Sequence, residues 1–164
     1  MQVALSFPDR VESLIVVDIA PVTYPPHHQS ILEGLNAISS QAITSRKQAD
    51  RILQLSVQEV SIRQFLLKNL QRMDSGLFQW RIPLDIILHH YDDLMRGQDG
   101  PSYTRPVLFI AGGDSDYILP EHRDKVVRLF PDAQLKVIPE TTHWVHAQRP
   151  DLFAGMVRRF LRSA

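Results

Sequence analysis

Val137-Ile-Pro-Glu-Thr-Thr-His143-Trp144-Val-His146-Ala-Gln-Arg-Pro150-Asp151 decides how the chain is read, because a short apolar strand there delivers a histidine onto a loop just ahead of a helix. Leu135, Val137 and Ile138 run into polar Glu140-Thr141-Thr142, then His143, and Pro150 opens an amphipathic helix. An imidazole mounted between two rigid elements and kept exposed suits a general base; the same position also suits a surface histidine without a task. The stretches upstream separate the two readings.

Leu14-Ile-Val-Val17, closed by Asp18, is an unbroken run of aliphatic residues, mostly β-branched, with no polar alternation, the pattern of a strand buried on both faces of a parallel sheet. Pro106-Val-Leu-Phe-Ile-Ala111 repeats it and ends in Gly112-Gly113-Asp114-Ser115-Asp116, where paired glycines let the backbone turn sharply. In open α/β sheets, ligands bind beyond the carboxyl ends of the strands, so Asp18, Asp116 and His143 are expected on one rim. The competing, lesser reading is that Asp18 caps or buttresses the loop that follows it.

Between the two runs, Ile19 to His28 forms a proline-rich loop, and apolar residues from Ile31 to Leu70 recur at helical spacing, predicting two or three helices. Gly76 to Pro83 is read as a short extended or turn segment, and Leu84 to Leu94 as one more helix. The expected fold class is therefore α/β: part of a parallel sheet flanked by helices, with a helical cap insertion over it. The boundaries are residues 1–23 for a first core piece (the end of a helix stopped by Pro8, then a strand), 24–103 for the insertion, and 104–164 for two strands, two helices and the histidine loop. Leu152, Phe153, Met156, Val157, Phe160 and Leu161 form the apolar face of the last helix.

Composition narrows the function classes. Eighteen basic and eighteen acidic residues cancel, so no long-range field favours nucleic acid or an anionic membrane, and a small, nearly neutral partner is expected. With no cysteine there is no disulfide, thiolate nucleophile or cysteine-held metal. No stretch is long and apolar enough for a membrane span, and the N-terminus carries no secretory pattern, so cytoplasmic location is the expectation. No cofactor and no metal are expected. His89-His90 with Asp92-Asp93 lacks ligand spacing, and a His143, His146 and Asp151 set is interrupted by Pro150.

Taken together, Pro8-Asp9-Arg10-Val11, Val17-Asp18-Ile19-Ala20-Pro21, Arg63 to Asn69, Phe78-Gln79-Trp80-Arg81, Leu108 to Gly113 and His143 to Ala147 resemble the α/β-hydrolase fold family. The resemblance covers essentially the whole chain. It is to the C-terminal part of the YbfF-like esterase branch, to which mitochondrial alpha/beta-hydrolase domain-containing protein eleven also belongs. It implies carboxyl-ester or thioester hydrolysis by a Ser-His-Asp triad, with His143 as the base. For the acid, Asp18 matches the position used in this branch and is preferred; Asp116 matches the position usual across the fold and is the alternate. Trp144, Trp80 and Phe65 are candidate walls of an acyl pocket, although aromatic residues at helical spacing more often serve as core.

Two departures stand out. Thr142 occupies the position before the histidine where the family commonly has glycine, and no Gly-x-Ser-x-Gly occurs anywhere in the sequence. Met1 already lies in what resembles the helix following the nucleophile elbow. The expectation is a fragment lacking its serine, inactive as an isolated chain, whose first strand is an apolar edge awaiting the missing N-terminal half or another chain. The alternatives are a non-catalytic interaction module, a truncated pseudoenzyme, and an esterase using Ser115 of Gly113-Asp114-Ser115 as nucleophile.

Overall fold

The structure, a computed structural model, describes residues 1–164. It divides into two compact units, one formed by Met1–Tyr24 with Arg96–Ala164 and the other by Pro25–Met95. Where the sequence boundaries lie at 24 and 103, the chain rejoins the first unit at Arg96. Gly97 explains this: its N–H donates to the Thr23 hydroxyl at 3.0 Å, and a Cβ added to it would fall 2.6 Å from the backbone of Val22. The segment leaving the first unit and the segment returning to it thus run backbone against backbone.

In the first unit, β1 (Leu14–Val17), β4 (Val107–Gly112) and β5 (Ala133–Ile138) form a parallel sheet in the order β1-β4-β5. Leu14 pairs with Val107, and Val107 in turn with Ala133, so all three carboxyl ends lie on one rim. Alternation sorts the side chains to two faces. On one, Val16, Val107 and Phe109 pack with Ala4 and Leu5 of α1 (Gln2–Ser6) and with Leu129 and Phe130 at the end of α7 (Arg123–Leu129). On the other, Leu108, Ile110 and Ile138 pack with Val145 and with Phe160 of α9 (Pro150–Ser163). Burying a side chain of this size is worth about 1.5–3 kcal/mol, so both faces contribute to holding the sheet.

Only β4 is buried throughout, because it alone has a strand on each side. This corrects the reading of β1 as a strand covered on both faces: Leu14, Ile15 and Val17 are half-buried at an edge. On β5 the apolar run is even less covered, with Leu135 at 54% and Val137 at 52% exposure.

The second unit holds α2 (Gln29–Ser39), α3 (Arg46–Leu53), α4 (Val60–Leu67), the antiparallel pair β2 (Leu70–Arg72) and β3 (Phe78–Trp80), α5 (Leu84–His89) and α6 (Tyr91–Met95). Leu35, Ile38, Ile43, Leu53 and Leu70 centre its core. Leu70, expected to end a helix, instead starts β2, and the helix expected over Leu84 to Leu94 breaks at His90. Arg63 is buried on α4 without becoming a liability. Its Nε donates to Asp50 at 2.8 Å and its Nη1 to the carbonyls of Val57 and Gln58 at 3.0 and 2.8 Å, so the charge is paired and hydrogen-bonded. No helix is long and apolar enough to cross a membrane.

Candidate active site

The rim at the carboxyl ends of β1, β4 and β5 brings Asp18 and His143 together. Asp18 follows β1 directly and has φ 48°, a left-handed conformation that aspartate tolerates better than most residues. Its N–H still donates to the Ile110 carbonyl at 2.7 Å, and the turn lets the carboxylate reach across β4 instead of pointing away. The side chain is fully buried, and both carboxylate oxygens accept hydrogen bonds. Oδ1 accepts the Gly112 N–H at 2.9 Å, while Oδ2 accepts the Ser115 hydroxyl at 2.6 Å and His143 Nδ1 at 2.9 Å.

These contacts set the charge state of Asp18. Burial alone pushes its carboxyl up, but the hydrogen bonds from His143, Ser115 and Gly112 and the attraction of the His143 charge outweigh it, leaving it below the usual aspartate value. Asp18 is thus an ionised acceptor, and a carboxylate can only accept, so Nδ1 of His143 carries the proton. In the neutral imidazole, Nε2 then holds the free lone pair. The His143 side chain is 48% exposed, so the imidazole is within reach of a partner from outside the pair.

The loop that carries His143 is fastened from below. Gly113 N–H donates to the Ile138 carbonyl at 2.8 Å and Asp114 N–H to that of Thr141 at 2.9 Å. Thr141 is buried, with its hydroxyl on the Ile138 carbonyl at 2.7 Å. A Cβ on Gly112 would sit 2.6 Å from the Thr141 carbonyl oxygen and closer still to that of Thr142. Neither Gly112 nor Gly113 has a positive φ, so close approach of the histidine loop, not a sharp turn, is what their missing side chains permit. Thr142 likewise has no positive φ; the left-handed residue of this loop is Glu140, at φ 55°. Thr142 N–H and hydroxyl both reach Gln148 Oε1, at 2.8 and 3.2 Å.

The other sequence candidates lie as follows. Asp116 is exposed on the loop after β4, and the His143 bond goes to Asp18 rather than to it. Ser115 gives its proton to Asp18, which engages the hydroxyl required by the Gly-Asp-Ser reading. Trp144 is half-buried just before α8 (Val145–Gln148), its ring 5.9 Å from that of His146. In the second unit, Trp80 packs against the core and its indole N–H donates to the Leu35 carbonyl at 3.0 Å, whereas Phe65 is 45% exposed, with Lys68 Nζ 6.0 Å over its ring. Sequence reading missed two neighbours of the pair: Ser115 as a donor to Asp18, and Tyr117, whose ring stands 4.3 Å from that of His143 at 31°. Their signal was position, since both follow a buried strand on the same rim.

No family model matches the chain. Individual relatives do. The mouse sn-1-specific diacylglycerol lipase ABHD11 is 42% identical over 98% of this chain and 54% of its own length. Esterase YbfF of Escherichia coli K12 is 35% identical over 94% of this chain and 59% of its own. Among solved structures, a marine microorganism esterase superposes with a TM-score of 0.89 at 34% identity, over 96% of this chain and 63% of its own. The chain spans about half the length of the curated relatives it matches. With this sheet, this rim and these relatives, the chain belongs to the esterase and lipase branch of the α/β-hydrolase family typified by YbfF and ABHD11.

Proposed function

We propose that the chain supplies the base and the acid of a Ser-His-Asp triad, His143 and Asp18, for hydrolysis of a carboxyl ester or thioester, and that the serine comes from polypeptide outside these 164 residues. The carrying observation is the 2.9 Å bond between His143 Nδ1 and a fully buried Asp18 carboxylate, in a histidine whose side chain is 48% exposed. The absence of a Gly-x-Ser-x-Gly and the greater length of the relatives support an outside source for the serine. Nε2 takes the serine proton as its oxygen attacks the acyl carbonyl, and the imidazolium so formed is stabilised by Asp18. As the tetrahedral intermediate collapses, Nε2–H returns that proton to the departing alkoxide or thiolate. Water then enters by the same route, giving its proton to Nε2, and the carboxylic acid leaves as serine regains it.

In this reading Asp116 is the second choice for the acid, and Ser115 keeps Asp18 ionised through its hydroxyl. In the first unit Trp144, next to the base in sequence, is a candidate acyl contact; in the second unit the ring of Phe65 is exposed and that of Trp80 is largely committed to its own core. The substrate class rests on the likeness to esterases, because a His-Asp pair alone does not fix it. By itself the chain is inactive, and the free side of β1, which pairs only with β4, is where a further strand would join. That same free edge favours a second reading, a module that binds a protein through β1 without catalysis.

The test joins the chain to the remaining half of a relative such as YbfF and measures hydrolysis of short acyl esters with fluorophosphonate labelling. Activity and labelling that appear only in the joined protein, with activity lost in His143→Ala, support the proposal. Turnover by the isolated chain that survives His143→Ala sinks it, and a folded joined protein with neither activity nor labelling favours the binding module.

A further inference from the structure

We propose that the hydroxyl of Tyr24 is a positioning group for His143, acting through Tyr117. The inference rests on the reading of Asp18 and His143 as an acid and base pair.

One hydrogen bond fixes the distance between Nδ1 and Oδ2 but leaves the imidazole free to swing about that axis. Catalysis through Nε2 needs the ring plane fixed as well. The neighbour that limits this swing is the Tyr117 ring, 4.3 Å away and inclined by 31°, which lies along one face of the imidazole. Tyr117 is therefore useful only while its own loop is held. The Tyr117 N–H donates to Ser115 Oγ at 3.4 Å, the oxygen whose proton goes to Asp18, and the Tyr117 carbonyl accepts the Tyr24 hydroxyl.

Tyr24 completes the circuit. Its oxygen also accepts the N–H of Ala20 at 2.8 Å, two residues beyond Asp18, where the backbone is buried. A single O–H group thus ties the loop that carries Asp18 to the loop that carries Ser115 and Tyr117. The acid is held through Ser115 and the base through Tyr117, both from a segment pinned by one phenol. The hydroxyl keeps its proton: burial raises its pKa above the usual tyrosine value, the Ala20 N–H opposes this only in part, and the nearby Asp18 and Asp116 carboxylates raise it further. Its ring has separate packing, 5.4 Å from Tyr117 and 6.1 Å from His122, so removal of the hydroxyl alone leaves the ring seated.

The experiment reads the tautomer of His143 in the full 164-residue chain by long-range proton–nitrogen NMR at mildly alkaline pH, its signal assigned among the seven histidines by loss in His143→Gln. A held imidazole carries its proton on Nδ1, whereas an unrestrained one favours Nε2. Tyr24→Phe is expected to lower the Nδ1-H to Nε2-H ratio several-fold, and Asp18→Asn to abolish the preference. A wild-type ratio in Tyr24→Phe alongside a collapsed one in Asp18→Asn overturns this inference and leaves the acid and base reading standing. An unchanged ratio in Asp18→Asn brings down that reading itself. A lower melting temperature in Tyr24→Phe with an unchanged ratio assigns the hydroxyl a purely structural role and counts against the proposal. Tyr117→Leu, which removes the stacked ring but keeps the carbonyl, gives the second arm: the same fall in ratio supports the route through Tyr117, and an unchanged ratio refutes it even if Tyr24→Phe fails to fold.

Discussion

Asp18 concentrates most of the site's energetics in one carboxylate. Its folded pKa lies below the ordinary aspartate value, so its contribution to stability is fully present above about pH 4 and is lost as pH falls through the depressed value. Asp18→Asn keeps the shape and removes the charge. At neutral pH it is expected to cost on the order of 2 kcal/mol, because it weakens charge-assisted bonds inside a buried site. The gap between wild type and variant should narrow as the solution is acidified. Urea unfolding midpoints measured from neutral to acid pH check this, and a gap that widens with acid would show the assigned direction to be wrong. The aspartate and the histidine were both legible in the sequence, because each directly follows or closely trails an apolar run whose end must lie at the rim. Ser115 and Tyr117 were not legible in their roles: these depend on how a loop folds back on itself, and neither spacing nor hydropathy encodes that.

Among the elements, the contact between the end of β4 and the histidine loop sets the geometry of the pair. Gly112→Ala would push a methyl group into two backbone carbonyls that have no flexible side chain to yield. The cost is expected to be about 3 kcal/mol, near the upper range of overpacking penalties, with the loop lifting from the strand. Faster hydrogen exchange at the Asp114 amide, which is bonded to the Thr141 carbonyl, would report that lifting, and wild-type exchange and stability would refute it. At this scale the parallel strands could be read from sequence because each is a continuous apolar run. The hairpin of β2 and β3 could not, since three-residue strands are too short to show alternation, and the helical spacing before Leu70 runs straight into the first of them. The exposure of β1 and β5 was hidden for another reason: apolar content is local, whereas coverage depends on which strand lies alongside.

For the whole molecule, a sheet of three strands in the order β1-β4-β5 leaves two open edges. Leu135 and Val137 add exposed apolar surface on one of them. Open edges with apolar side chains template further pairing, so the isolated chain is expected to self-associate as its concentration rises. Replacing Leu135 and Val137 with lysine should shift sedimentation profiles toward the monomer without changing the melting temperature by more than a few degrees, since both side chains already face solvent. A wild-type chain that stays monomeric at every concentration would contradict this. The crossing at Gly97, where the departing and returning segments touch at Val22 and Thr23, has a consequence of a different kind. Because the strands of polypeptide on either side of Pro25–Met95 meet within the first unit, the number of residues between them can change without separating the two ends that flank it.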